Sequence, residues 1–144
     1  MADKLEPSPH LYEEDELRHL LEREVKRSTR YQDFLSLCLI RIESTGPSSG
    51  EVRNTIARQV ADMLRSADLV GSIGQDIAVL LVHTPDTDAT VIANRIRERV
   101  VDLVPGSAQA GAGAFRIGLA SFPVDGTSHD ALLAHAQARL EVTS

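Results

Sequence analysis

Apolar residues recur along this chain in two kinds of spacing, which together predict a series of helices and strands. Spacings of three and four residues place apolar side chains on one face of a helix, and short continuous apolar runs are typical of buried strands. Leu17, Leu21 and Val25 show the first pattern. The predicted order is helix 11–30, strand 35–42, helix 50–64, strands 69–73 and 77–82, a helix ending near 103, strand 114–122 and a last helix through 132–140.

This order is a βαββαβ core with one helix before it and one after it, which predicts an α+β, ferredoxin-like fold. We expect a mainly antiparallel sheet with the helices packed on one of its faces. Gly74, Gln75 and Asp76 separate the two middle strands. Glycine before a polar residue is typical of a two-residue hairpin, because glycine takes positive φ without steric cost. Residues 11–144 are predicted to form a single domain, preceded by a flexible tail over residues 1–10.

The composition excludes several classes of function. The 144 residues carry a net charge of -6, and aromatic residues make up only 3%. Such a chain is unsuited to nucleic acid or to anionic membranes, although two or three local arginines are enough for a small anion. No apolar stretch approaches the roughly 20 residues of a membrane span, and the start of the chain lacks a signal-peptide pattern. We therefore expect a cytoplasmic protein.

The spacing of cysteine and histidine residues predicts neither a metal site nor a disulfide. Cys38 is the one cysteine and lies inside an apolar run. The histidines are scattered, and no Cys/His cluster has the spacing of zinc ligands. They are interpreted as surface residues: His10, His19, His83, His129 and His135. We accordingly predict no metal and no cofactor.

Several short segments carry a family resemblance through their order and spacing. The turn of the predicted hairpin has the sequence Gly74-Gln75-Asp76-Ile77-Ala78, and it is followed by Ala93-Asn-Arg-Ile-Arg97, Arg116-Ile-Gly-Leu-Ala120, Phe122-Pro123 and Asp125-Gly126. Together they resemble the GGDEF domain, the diguanylate cyclase family, over about residues 12–141. The resemblance implies a nucleotidyl-cyclase-like form of the fold. Active members are understood to condense two GTP molecules into cyclic di-GMP across a homodimer, with carboxylates holding two metal ions.

The chain departs from the family pattern at the positions that serve catalysis. Asp76 keeps the third signature position, but Arg41 stands where the second metal-binding carboxylate is expected, and its positive charge would repel Mg²⁺. Gln75 and Ile77 replace the second glycine and the following carboxylate. The segment that contacts guanine has no counterpart in residues 44–50, and the phosphate-binding lysine of the last helix is absent. The resemblance thus implies a degenerate signature with no catalytic or metal-binding residues, and we expect that the chain is not an enzyme.

An Arg-x-x-Asp motif five residues ahead of the signature is retained. Arg65 and Asp68 are followed by residues 69–73 and then by Gly74, which is the spacing of the family's inhibitory site for cyclic di-GMP. Arg95 falls where family members often supply another arginine to the same ligand. An arginine fork can bind guanine or phosphate in bidentate fashion, and an aspartate can accept hydrogen bonds from guanine. The resemblance implies a cyclic di-GMP receptor that uses these three residues.

Two other interpretations stay open. The motif residues could be an ordinary cation near a helix end and an ordinary turn residue, because both occur commonly at such positions. The chain would then be a protein-interaction or dimerisation module that keeps only the fold. Its surfaces for a second copy or a partner protein would be the leading helix over Leu17–Val25 and the sheet face or edge that the missing nucleotide pocket leaves open. An enzyme that binds GTP is the third interpretation, and the departures at the catalytic positions disfavour it.

Overall fold

The computed structural model describes residues 10–43, 49–103 and 115–142, and the strands and helices below lie within them. Most of the tail predicted over residues 1–10 lies outside these residues, and so does most of the segment 44–50. The elements in chain order are β1 (Leu11–Tyr12), α1 (Glu14–Tyr31), β2 (Leu35–Ile42), α2 (Ser49–Asp62), β3 (Leu69–Ile73), β4 (Asp76–Val82), α3 (Asp86–Leu103), β5 (Phe115–Phe122) and α4 (His129–Val142).

The strands form one mixed sheet in the order β1-β3-β4-β2-β5. The β3–β4, β4–β2 and β2–β5 pairs are antiparallel, as predicted, and β1 runs parallel to β3. Leu11 and Tyr12, which we predicted as the start of the first helix, form β1 and pair with Val70 and Gly71. A two-residue strand is too short to show a periodicity, and its pairing depends on a strand far along the chain. The local sequence therefore did not indicate it.

The helices cover both faces of the sheet, so the prediction of helices on one face is wrong. Successive side chains of a strand point to opposite faces. In β2, Leu37 and Leu39 contact the cluster that includes buried side chains of α1 and α4, whereas Cys38 and Ile40 belong to the cluster beneath α2 and α3. A run of consecutive apolar residues in a strand needs cover on both faces, and residues 37–40 of β2 and 77–82 of β4 are such runs.

The apolar stripe of α1 packs against its own sheet. Leu17, Leu21 and Val25 are buried in the core cluster on that face. The expected interaction surface over Leu17–Val25 is therefore occupied within the chain, and a partner at α1 would contact its polar side. Within the described residues, no helix combines the length and apolarity that crossing a membrane requires.

The predicted hairpin is present, with a two-residue turn. Ile73 pairs with Asp76, so that Gly74 and Gln75 alone form the connection. Gly74 has φ of 61°, the left-handed region that glycine adopts most readily, and no heavy atom would lie within 4 Å of an added Cβ. The strain of a substitution here would therefore come from the backbone alone.

Candidate ligand-binding site

The Arg-x-x-Asp motif forms the tight connection between α2 and β3. The N–H of Asp68 donates to the carbonyl of Arg65 at 3.0 Å, which closes a turn over the four residues. The Asp68 carboxylate also accepts the backbone N–H of Arg65 at 3.2 Å and, across the hairpin, the N–H of Val82 at 3.1 Å. Its side chain is only 1% exposed. Asp68 thus ties the motif to the end of β4 and holds the turn in shape.

The guanidinium of Arg65 lies at the surface and is fixed along one edge. Its Nη2 donates to the carbonyl of Val82 at 2.7 Å and to Oγ1 of Thr84 at 2.8 Å, and its Nε is 3.4 Å from the Asp68 carboxylate. The side chain is 59% exposed, and Nη1 has no hydrogen-bond partner in the described part of the chain. Arg65 is therefore held in one orientation and still presents a donor group to solvent.

Arg65, Asp68 and Arg95 line one groove of about 360 Å³. This volume is at the lower end of the range for small-molecule sites. Arg95 comes from α3, so the fold brings together all three residues that the sequence analysis selected. The rest of the wall has both apolar and polar members: Met63, Leu64, His83, Thr84, Asp88, Val91 and Ile92.

The signature residues lie at the other end of the hairpin and belong partly to the core. Ile77 and Ala78 are buried in the clusters on opposite faces of the sheet. Gly74 and Gln75 are exposed. The N–H of Gly74 donates to Oε1 of Glu14 at 2.7 Å, and this hydrogen bond, together with the one from Arg18, lowers the pKa of the Glu14 carboxyl. The first turn of α1 therefore fixes the tip of the hairpin.

Asp76, the remaining signature carboxylate, is paired with Arg41, the residue whose charge we expected to repel a metal ion. Arg41 donates from Nε to Oδ1 of Asp76 at 2.8 Å and from Nη2 to Oδ2 at 3.1 Å. The Asp76 side chain is 4% exposed and that of Arg41 is 32% exposed. Among the described residues, no group of three or more His, Cys, Asp or Glu side chains could hold a metal ion.

Residues 9–143 match the family described as diguanylate cyclase, GGDEF domain. The chain is a member of the GGDEF family. None of the curated protein sequences matches the chain. The predicted family and the α+β cyclase-like fold are thus confirmed.

Solved structures of GGDEF proteins share the fold of this GGDEF domain. A diguanylate cyclase protein from Thermotoga maritima superposes with a TM-score of 0.79 at 15% identity, covering 94% of this chain and 99% of that one. The active GGEEF domain of a diguanylate cyclase from Vibrio cholerae gives 0.77 at 18%, covering 92% and 90%. The diguanylate cyclase SiaD from Pseudomonas aeruginosa, in complex with its activator SiaC, gives 0.76 at 24%, covering 95% and 56%.

The expectation that this GGDEF domain is not an enzyme is wrong. The family that matches nearly the whole chain is that of the diguanylate cyclases, and an active member is among the structures that share its fold. The expectation was drawn from single signature positions such as Arg41 and Ile77. Family membership rests instead on the pattern of the whole domain.

His83 is the residue of this groove that the sequence analysis missed. It was interpreted as one of several scattered surface histidines, whereas it lines the groove beside Arg65 and Arg95. It adopts φ of 54°, the left-handed region that residues other than glycine seldom occupy. Its position directly after β4, before the Thr84-Pro85 turn, was the only local signal. A single histidine in a sequence indicates neither its backbone angle nor the groove that it lines.

Proposed function

We propose that this GGDEF domain binds cyclic di-GMP in the groove between Arg65 and Arg95. The observation that carries the proposal is that these two arginines, from separate elements, line one groove while Asp68 fixes the turn that bears Arg65. The proposal places the domain in the cytoplasm, where the nucleoside triphosphates that form this dinucleotide are held.

Charge supports an anionic ligand in this groove. Cyclic di-GMP carries two phosphodiester charges, and guanidinium groups bind phosphate or the O6 and N7 edge of guanine through paired N–H donors. Nη1 of Arg65 has no hydrogen-bond partner among the described residues, and Arg95, from α3, lines the same groove. Two cations facing one dianion form charge-assisted hydrogen bonds, which are about twice as strong as neutral ones.

Apolar side chains at the same groove support a ligand with flat rings. Met63 is 38% exposed and Val91 is 52% exposed, and both line the groove next to the arginines. A polarizable thioether packs well against an aromatic ring, and a guanidinium plane stacks on one. Purine bases would therefore cover apolar surface that is otherwise in contact with water.

The structure supports a different role for Asp68 from the one that the motif alone implies. Its carboxylate is almost fully buried and accepts two backbone N–H groups, so it acts on the ligand by positioning Arg65. Arg65 and Arg95 then supply the direct contacts. This division of roles predicts that Asp68 substitutions affect folding and affinity together, whereas Arg95 substitutions affect affinity alone.

Isothermal titration with cyclic di-GMP tests the proposal. We expect binding by the wild-type chain and a loss of affinity of about 10- to 100-fold in Arg65→Ala, the range for a hydrogen bond to a charged group. Arg95→Ala is expected to lose about tenfold. Arg58→Ala is the matched control, because Arg58 is an exposed arginine on α2. Absence of binding by the wild-type chain overturns the proposal, and so does binding that Arg65→Ala leaves unchanged.

A further inference from the structure

His83 occupies a conformation that needs an explanation beyond packing. Its side chain is 59% exposed, so its burial contributes little to the core. Its backbone nevertheless lies in the left-handed region, at a φ of 54°. Glycine would adopt this conformation at lower cost, and non-glycine residues in such regions cluster at ligand sites. From this conformation His83 lines the groove.

Asp33 orients the imidazole. Nδ1 of His83 forms a hydrogen bond with Oδ2 of Asp33, which follows the end of α1. A carboxylate can only accept, so Nδ1 carries the proton of this bond and Nε2 is the nitrogen left for other partners. Asp33 is itself held by the N–H of Phe34 at 2.7 Å and by Nη1 of Arg27 at 3.1 Å. This arrangement fixes both the tautomer and the direction of the ring.

Asp33 stays ionised across the range in which histidines titrate. Burial acts to raise the pKa of its carboxyl, but the hydrogen bonds from Phe34, Arg27 and His83 outweigh burial, and the net direction is downward. Its charge is therefore constant between about pH 5 and pH 8. A change of charge at this contact over that range comes from the imidazole.

We propose that His83 is a third direct ligand contact of the groove and that it makes anion binding there depend on pH. This inference rests on the proposed function of the same groove. Neutral imidazole, with its proton on Nδ1, presents a lone pair at Nε2 and repels a phosphate oxygen. Protonated imidazole presents an N–H donor and a positive charge at the same atom.

The charges around the imidazole determine the sign of the effect. Asp33 contacts His83 and is itself bound by Arg27, and the other ionisable or charged residues that line the groove with His83 are Arg65, Asp68, Asp88 and Arg95. The phosphodiesters of the ligand keep their charge throughout the neutral range. Lowering the pH adds a cation beside two arginines. The added charge increases repulsion within the ligand-free groove and strengthens the attraction of the groove for the dianion. Affinity should thus rise when the imidazole becomes protonated.

Two substitutions distinguish the effect of the imidazole from the effect of the backbone conformation. His83→Asn keeps a residue that tolerates the left-handed region but cannot titrate. His83→Gly relaxes the backbone and also removes the ring. If the inference holds, both variants fold, and both lose the pH dependence to the same extent. A pH dependence that survives in both variants belongs to another group and overturns the inference.

The experiment is titration with cyclic di-GMP at about pH 6 and about pH 8, with proton uptake followed in buffers of different ionisation enthalpy. We expect the wild-type chain to bind about five- to tenfold more tightly at the lower pH and to take up protons on binding. The His83→Asn variant should bind equally at both values without proton uptake. Binding that needs Arg65 but is as pH-dependent in His83→Asn as in the wild type overturns this inference alone. Absence of wild-type binding at both values removes the proposed function and this inference together.

Discussion

Arg41 and Asp76 form a two-bond ion pair across neighbouring strands, with the carboxylate buried and the guanidinium reaching solvent. The pair follows from the register of the sheet. Ile40 lies opposite Ile77, so the next residue of β2 lies beside the first residue of β4. The two residues therefore satisfy each other at the edge of the core, next to the hairpin turn.

Removing Arg41 should cost more stability than neutralising Asp76. Arg41→Met leaves a buried carboxylate without its charge partner, which we expect to lower the free energy of unfolding by about 2–3 kcal/mol. Asp76→Asn leaves a guanidinium that can turn to water, and about 1 kcal/mol is expected. Urea unfolding of both variants and of the double variant measures this. A larger loss in Asp76→Asn than in Arg41→Met would contradict the assignment of Asp76 as the buried partner.

Gly118 permits the close approach of β5 and α4, and alanine there should be strongly destabilising. An added Cβ would lie 2.1 Å from the carbonyl oxygen of Ala136 and 3.0 Å from the nitrogen of Leu140, both backbone atoms that cannot rotate away. We expect Gly118→Ala to lower the free energy of unfolding by about 2–4 kcal/mol. Gly50→Ala on α2 is the control, since nothing lies within 4 Å of its Cβ position and alanine favours helix. Equal stabilities of the two variants would be inconsistent with this packing.

Asp68→Asn is expected to weaken both the fold and the proposed site. An amide can accept one of the two backbone N–H groups that the carboxylate now accepts, and its own NH₂ would face the other. We predict a loss of about 1–2 kcal/mol of stability and a fall in affinity for cyclic di-GMP through a less ordered Arg65. Asp62→Asn, at an exposed position at the end of α2, is the control. Thermal unfolding and titration of both variants test this prediction, which fails if Asp68→Asn keeps full stability.

The ion pair between Asp125 and Arg139 should contribute to acid stability. The guanidinium of Arg139 holds the pKa of the Asp125 carboxyl below its usual value, against the effect of burial and with help from the N–H of Ser121. A carboxyl whose pKa is lower in the folded chain stabilises it above about pH 4, and that stabilisation is lost as the pH falls further. Arg139→Gln should therefore flatten the loss of stability below about pH 4. Urea unfolding of both chains at a series of acidic pH values measures this. If the free energy of unfolding falls with pH equally steeply in the variant and the wild type, the pair does not contribute.

The thiol of Cys38 should react only when the chain opens. Cys38 lies in β2 with no exposed surface, and burial raises the pKa of its thiol to about 12. Since the thiolate is the reactive form, we expect a disulfide reagent to label the native chain at least about 100-fold more slowly than the chain in urea. Labelling of the native chain at the unfolded rate would contradict the burial of this strand.

The order of the elements could be predicted because each element carries its own pattern. The spacing of Leu17, Leu21 and Val25 indicated a helix, and Gly74 marked a turn whose positive φ the structure contains. The cover on both faces of the sheet was implicit in the continuous apolar run of β2 but was not recognised. Local patterns state which side chains need burial, and they do not state which distant element provides it.

The site could be predicted only as far as its spacing along the chain. Arg65, Asp68 and Arg95 were selected from motif positions, and the fold does place them in one groove. The hydrogen bond from Val82 to Asp68 depends on the hairpin folding back on the turn, so no local pattern contains it. The pairing of His83 with Asp33 joins residues that are far apart in the chain and was equally inaccessible.

Because β2 lies between β4 and β5, its two edges find their partners at different times as the chain is made. The β4 edge can be paired once the β3–β4 hairpin has formed, whereas β5 follows only after α3. Until then, the second edge of an apolar strand is open to other chains. A fragment ending before Phe115 should aggregate even where the full chain is soluble.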